Sequence, residues 1–188
     1  MDLGSVASIQ TGFSFRSACS FENTGCLVVL LKDIDSEGFV DMEGLGRVEP
    51  VTSNESNFVV AGDLIFRSRG GLFTAGVVPE IGEPLLLAAP LLRIRVDQTQ
   101  ILPEYLAWYI NSSWGETYFE GVAEGSAMKM VSKTSLAALP LSLPSLPAQQ
   151  AVAELVALER REQSLVSMIH AKRKQWIDAR IKQFVEST

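Results

Sequence analysis

The sequence is poor in the residues from which most catalytic and metal sites are built. His170 is the only histidine among 188 residues, and Cys19 and Cys26 are the only cysteines. A Ser-His-Asp or Cys-His arrangement would have to use His170, which lies inside a helix-forming stretch where a solvated or interface histidine is expected. Two cysteines without a second pair or a neighbouring histidine complete no zinc site and make no disulfide framework, so both are expected to be reduced. Neither a GxxxxGKS/T loop nor a GxGxxG turn nor an Asn-Pro-Pro-aromatic motif is present. Asp63 is followed by Arg67 and Arg69 rather than by a metal-ligand set, and Asp33 and Asp35 flank a turn, where Asp serves backbone hydrogen bonding. The expectation is a non-catalytic chain without cofactor or metal. Pro140, Pro144 and Pro147 break the longest uncharged stretch, residues 134–153, so no membrane span is expected. Met1-Asp2 opens with neither a basic nor an apolar leader region, so no secretory signal is expected and the cytoplasm is the expected compartment.

What is present suits a globular body with an extension. The chain is 47% hydrophobic and 20% charged, enough apolar residue for a core. Charge divides unevenly. Residues 1–146 hold 9 Lys and Arg against 17 Asp and Glu, net −8, whereas residues 147–188 hold 7 against 5, net +2. An acidic body opposes nonspecific nucleic-acid binding, because phosphate affinity comes from cations that release counterions. Any basic face must therefore be local, and Arg16, Arg47, Arg67, Arg69, Lys129 and Lys133, most of them near glycines, are its candidates. The alternative is that these are scattered solvated charges.

The first three quarters read as short segments between turns. Leu3, Val6 and Ala7 have the spacing of a short amphipathic helix closed by Gly12. Leu27–Leu31 is a compact apolar run expected to form a buried strand, followed by a turn at Asp35–Gly38. Phe58–Ala61, Leu64–Phe66 and Gly76–Val78 read as further strands. Leu92, Ile94 and Val96 alternate with Arg93 and Arg95, which predicts a half-buried strand with the arginines on its wet face. Pro103 suits a first helical turn, and Leu106, Tyr109 and Ile110 form an apolar stripe ending at Asn111. Trp108 and Trp114 are expected to pack. Glu120–Met130, with two glycines, reads as a loop, and Ser132 as the cap of a short turn carrying Leu136 and Leu139. After Pro147 there is neither Gly nor Pro, so a single helix roughly 60 Å long is expected. Val152, Leu155, Leu158, Leu165, Ile169 and Trp176 follow three-, four- and seven-residue spacings, interrupted by Glu162 and Lys172. A helix that long cannot bury its stripe on a small body alone, so it calls for a partner. The fold class is α+β, a mixed β-rich domain over 1–146 followed by a long helix over 147–188.

Five segments, in their order, resemble the specificity subunit of type I restriction-modification enzymes. They are LGSVASIQTGFSF (3–15), VVLLKDID (28–35), VVAGDLIFRSRGG (59–71), LLRIRVDQTQILPEYLAWYINS (91–112) and LAALPLSLPSLPAQQAVAEL (136–155). The last is the most specific, because a Pro-rich connector ends in a Gln that begins a spacer helix, and Gln149 matches that Gln. Ala148 departs from the family, which usually places Glu there, so a carboxylate favourable to the helix dipole is missing. A full subunit carries two target-recognition domains and two spacer helices. Here one of each is found, without an internal repeat.

The resemblance therefore implies a half subunit, two copies of which pair through antiparallel helices, read a split inverted-repeat target in double-stranded DNA, and dock methyltransferase subunits that supply the chemistry. A restriction subunit would join in systems that also cleave. Val152, Leu155, Leu158, Leu165, Ile169 and Trp176 are the expected dimer interface, and Arg16, Arg67, Arg69, Ser126, Lys129 and Lys133 the expected DNA contacts. In FRSRGG the two arginines are two apart, so an extended segment would project both to one side, toward phosphate or a guanine edge. Two rivals stand beside this reading. One is a dimeric scaffold of the same fold that has lost DNA recognition, in keeping with the acidic body, and the other is a small enzyme of unrelated fold.

Overall fold

A computed structural model describes residues 1–15, 25–35, 38, 40, 42, 44–49, 58–126 and 128–186. Among these residues eight strands form two four-stranded sheets. The first has the order β1-β8-β5-β6, from β1 (Ala7–Thr11), β8 (Leu92–Val96), β5 (Leu64–Phe66) and β6 (Ala75–Val77), with every neighbour antiparallel. The second has the order β3-β2-β7-β4, from β3 (Gly46–Val48), β2 (Cys26–Val29), β7 (Leu85–Leu87) and β4 (Phe58–Val59), with β2 and β7 parallel. All residues of β2, β5 and β7 are buried. This is why they read as continuous apolar runs rather than alternating ones. Ile65 packs with Val29, Leu85, Leu87 and Leu91, so one core reaches residues of both sheets. The other face of the second sheet buries Val28, Val48 and Leu86.

Among the described residues four α-helices follow the strands: α1 (Pro103–Asn111), α2 (Ser113–Val122), α3 (Lys133–Ala137) and α4 (Leu146–Glu186). The α+β class and the long terminal helix are as expected. Pro103 stands in the first turn of α1, and Ser132 caps α3 by accepting the Ser135 amide at 3.0 Å. Asn111 ends α1 and locks it to β6, its side-chain amide accepting from Ala75 N at 2.8 Å and donating to Ala75 O at 2.9 Å.

Several elements differ from the sequence reading. Leu3–Ser5 form one turn of 3-10 helix, but Ala7 begins a strand paired residue by residue with β8, so the helical spacing of Leu3, Val6 and Ala7 was coincidental. The strand expected at Leu27–Leu31 stops at Val29, and Leu31 opens a short 3-10 turn. β3 and β7 were not foreseen, being three residues each. α2 was hidden by Gly115 and Gly121, poor helix formers. Gly115 is required there, because a Cβ would stand 2.1 Å from the Ile110 carbonyl oxygen. Ser36 and Glu37, within the expected Asp35–Gly38 turn, lie outside the described residues.

The Pro-rich connector between α3 and α4 is fastened by side chains of α1. Tyr105 and Tyr109 hydroxyls donate to the carbonyls of Ser142 (2.8 Å) and Pro140 (3.0 Å). Gln149 is fully buried, and its amide satisfies three backbone groups: Nε2 donates to Gln100 O and Pro144 O at 3.0 Å each, while Oε1 accepts from Leu102 N at 2.8 Å. Leu102 is the N-cap residue of α1, so one side chain joins the roots of two helices. Residues Met1–Gln149 form one compact unit and Gln150–Thr188 a second.

Candidate nucleic-acid interface

The two glycine-containing segments that carry most of the expected DNA contacts are brought together. After β5 the chain runs Arg67-Ser68-Arg69-Gly70-Gly71, and the hairpin to β6 is closed by Arg67 N donating to Thr74 O at 2.8 Å. Gly70 and Gly71 have φ of +101° and +81°, a left-handed backbone that favours glycine and reverses the chain. Across from it, Glu124 and Met130 exchange two backbone hydrogen bonds of 3.0 and 2.8 Å. The two segments then pair with each other. Arg69 bridges Met130, Gly70 N donates to Lys129 O at 3.2 Å, and Val131 N donates to Ser68 O at 2.9 Å.

On this shared structure Arg69, Ser126 and Lys129 are exposed, and Lys133 follows at the start of α3, also exposed. Arg69 Nη2 rests 3.8 Å from Met130 Sδ. Segments 67–71 and 124–133 carry Arg67, Arg69, Lys129 and Lys133 against Glu124, a local excess of cations on an acidic body. Arg67 differs from its neighbour two residues on. It is half-buried, its Nη1 donates to Ile34 O at 2.9 Å, and its Nε is buried without a hydrogen-bond partner. It ties the end of β5 to Ile34, just after the Leu31–Asp33 turn, and Arg69 is the arginine presented to solvent. Arg16 lies outside the described residues. Met130 was missed by sequence reasoning: its backbone pairs with both Arg69 and Glu124, which no residue-type signal reveals.

Three other arginines of the body, Arg47, Arg93 and Arg95, are committed elsewhere. Arg47 forms a two-pronged pair with Glu83 at 2.6 and 2.9 Å and also donates to Gly25 O. The hydrogen bonds to Glu83 raise the guanidinium and hold the carboxyl below its ordinary range. Arg95 grips Asp63, itself 1% exposed, at 2.6 and 2.7 Å, and these bonds raise its pKa. Arg93 does not face water as the alternation of β8 suggested. It is 8% exposed and donates to Phe58 O at 3.0 Å, and burial lowers its pKa. β8 lies in the interior of its sheet, and its nominally wet face is covered at Arg93, where Phe58 O accepts, and stays partly open at Arg95.

The expected dimer residues stand on α4. Among them Leu155, Leu158, Leu165, Ile169 and Trp176 are exposed, and Val152 is half-buried. Sequence reasoning left out a further exposed apolar group near the end of the helix, Ile177, Ile181, Phe184 and Val185, because these residues fall outside the main spacing. Among the described residues no group of three His, Cys, Asp or Glu side chains could hold a metal ion. No described helix is long and apolar enough to cross a membrane.

No family model matches the chain, and no curated protein matches it. Solved structures do. A type I restriction-modification S subunit from M. genitalium superposes with a TM-score of 0.59 at 13% identity, over 93% of this chain and 42% of that one. The HsdS subunit from Thermoanaerobacter tengcongensis gives 0.62 at 16% identity, over 93% and 45%. A chain from a structural study of complex assembly and conformational transition of the type I R-M system gives 0.62 at 18% identity, over 93% and 40%. The chain has the fold of a type I specificity subunit, helix included. It spans less than half the length of each of these three.

Proposed function

We propose that this chain is a sequence-specific DNA recognition subunit of a type I-like restriction-modification system, equivalent to half of a specificity subunit. The observation that carries the reading is the specificity-subunit fold over 93% of the chain at less than half of those chains' length. One body and one long helix amount to half of a pseudo-twofold arrangement. Two copies restore it by pairing their α4 helices antiparallel, with Leu155, Leu158, Leu165, Ile169 and Trp176 in the seam, and Val152 at its edge. The dimer presents two identical recognition bodies, so its target is an inverted repeat split by a spacer. A methyltransferase subunit docks on the assembly and supplies the methyl-transfer chemistry. A restriction subunit joins where the system also cleaves.

The DNA face is built on the joined 67–71 and 124–133 segments. Arg69, Lys129 and Lys133 contact phosphate or base edges, the Ser126 hydroxyl adds a hydrogen bond, and the glycines admit close approach to a backbone. Arg67 acts from beneath by fixing the segment. The test is DNA affinity of Arg69→Ala/Lys129→Ala at two salt concentrations. If the two cations meet phosphate, the slope of log affinity against log salt falls by roughly 0.9 for each. Unchanged affinity and slope would refute the assignment and favour the dimeric scaffold without DNA recognition.

A further inference from the structure

Glu124 is an acid where the proposed DNA face concentrates cations, and the backbone pairing fixes where it stands. Met130 bridges Arg69 on one side and Glu124 on the other, both antiparallel, so the three residues form a row across three segments of chain. Residues directly opposite each other in such a ladder project to the same face. Ser68 and Val131, the chain neighbours of Arg69 and Met130, are 2% and 1% exposed, so the alternate residues are directed outward. Arg69, Met130 and Glu124 are all exposed, and Arg69 Nη2 meets Met130 Sδ at 3.8 Å.

The row runs from donor to acceptor. Arg69 offers only N–H donors, Met130 an apolar thioether, and Glu124 only acceptor oxygens. Its span follows from the ladder. Gly70 N to Lys129 O and Val131 N to Ser68 O flank the Arg69–Met130 pair, whereas Met130 and Glu124 exchange both bonds directly. The Cα spacings of those two kinds of pair, about 4.5 and 5.5 Å, give a row of roughly 10 Å. The major groove of DNA is about 12 Å wide and admits it. A carboxylate on this face repels phosphate on every sequence, and only a base edge that donates a hydrogen bond offsets the cost. Guanine O6 and N7 are acceptors that suit an arginine, and cytosine N4 is a donor that suits a glutamate. Adenine N6 also donates, but the N7 acceptor beside it repels a carboxylate.

We propose that Arg69, Met130 and Glu124 form a base-reading row in the major groove, in which Arg69 donates to a guanine, Glu124 accepts from the N4 amine of a cytosine, and Met130 fills the apolar space between them. The inference rests on the DNA face proposed above. The two ends of the row do different work. Arg69, with Lys129 and Lys133 nearby, attracts any duplex, whereas Glu124 lowers affinity for every sequence that does not present the amine. Discrimination at the cytosine therefore comes from a residue that weakens binding elsewhere.

The test is selection from a random duplex library by the full chain with a type I methyltransferase subunit, followed by affinities for the recovered duplex and for a scrambled one. Glu124 is exposed and pairs with Met130 through its backbone, so its variants fold, and circular dichroism checks this. The wild type is expected to enrich a motif holding a guanine and a cytosine in each half-site. Glu124→Ala is expected to lose the preference for that cytosine, about 5- to 150-fold, to keep the guanine, and to bind the scrambled duplex several-fold more tightly. Glu124→Gln, whose amide suits adenine N6 and N7, is expected to exchange the cytosine for adenine. If Glu124→Ala recovers the wild-type motif unchanged or loses affinity equally on both duplexes, or Glu124→Gln still selects cytosine, the row is wrong, while the DNA face stands on the loss seen with Arg69→Ala/Lys129→Ala. A wild-type chain that enriches no motif overturns the face and the row together.

Discussion

Replacing Gln149 by Ala is expected to cost more than any other single truncation on α4. The side chain is fully buried and makes three hydrogen bonds to backbone groups that belong to three separate segments, at Gln100, Leu102 and Pro144. A typical net hydrogen bond is worth about 1 kcal/mol, and leaving a buried donor or acceptor unsatisfied costs about 1–3 kcal/mol. The Leu102 amide and two carbonyls lose their partner at once, although water entering the vacated space satisfies part of the loss. The expected total is about 3–5 kcal/mol. In a body of this size about 1 kcal/mol shifts the melting point by roughly 2–4 °C, so a fall of about 10 °C is predicted. Urea unfolding, followed by tryptophan fluorescence, reads the loss directly. Gln149→Glu keeps the shape, but its protonated form can donate to only one of Gln100 O and Pro144 O and its ionised form to neither, and it buries a charge when ionised. Burial would raise the carboxyl's folded pKa, so its extra destabilisation appears above pH 4 to 5, about the unfolded pKa, and is relieved below it. A loss under about 1 kcal/mol for Gln149→Ala, with no pH dependence for Gln149→Glu, would refute the anchoring role.

Leu165→Asp/Ile169→Asp is expected to abolish dimerisation in light scattering without changing the melting of the body. Asp63→Ala strands the Val60 amide and the Arg95 guanidinium, which is partly open to solvent, and should cost about 2–3 kcal/mol in urea unfolding. Gly115→Ala places a Cβ 2.1 Å from a carbonyl oxygen and should destabilise the α1–α2 junction by about 1–3 kcal/mol, read as loss of amide-exchange protection there. Glu83→Gln removes the pair with Arg47. The Glu83 carboxyl is held below its usual 4.5, so the pair's contribution is present above that pH and lost as pH falls through the lower folded value. Wild type and Glu83→Gln should therefore converge on acidification, as thermal melts across pH will show.

The parts of the fold that rest on local periodicity were legible in the sequence. α4 follows from residues 148–188, which hold neither Gly nor Pro, and α1 from Pro103 and its apolar spacing. Elements decided by long-range contacts were not. β3 and β7 are three residues long and owe their state to β2, which lies between them. α2 carries two glycines that argue against a helix, and only the close approach to Ile110 O explains one of them. The arginines show the same division. Residue type and neighbouring glycines singled out Arg47, Arg67 and Arg69 alike, yet Glu83 holds the first in a surface pair and the Ile34 carbonyl takes the second inward. Arg69 is left facing solvent, a distinction no spacing rule contains.

The central claim is that two copies of this chain read two identical DNA half-sites. The most direct measurement is selection from a random duplex library by the purified chain, alone and with a type I methyltransferase subunit, followed by sequencing. Two inverted copies of one short sequence, separated by a spacer of fixed length and lost with Leu165→Asp/Ile169→Asp, are the predicted result. Recovery of an unenriched library in both conditions, or of a single undivided site indifferent to those substitutions, would contradict it.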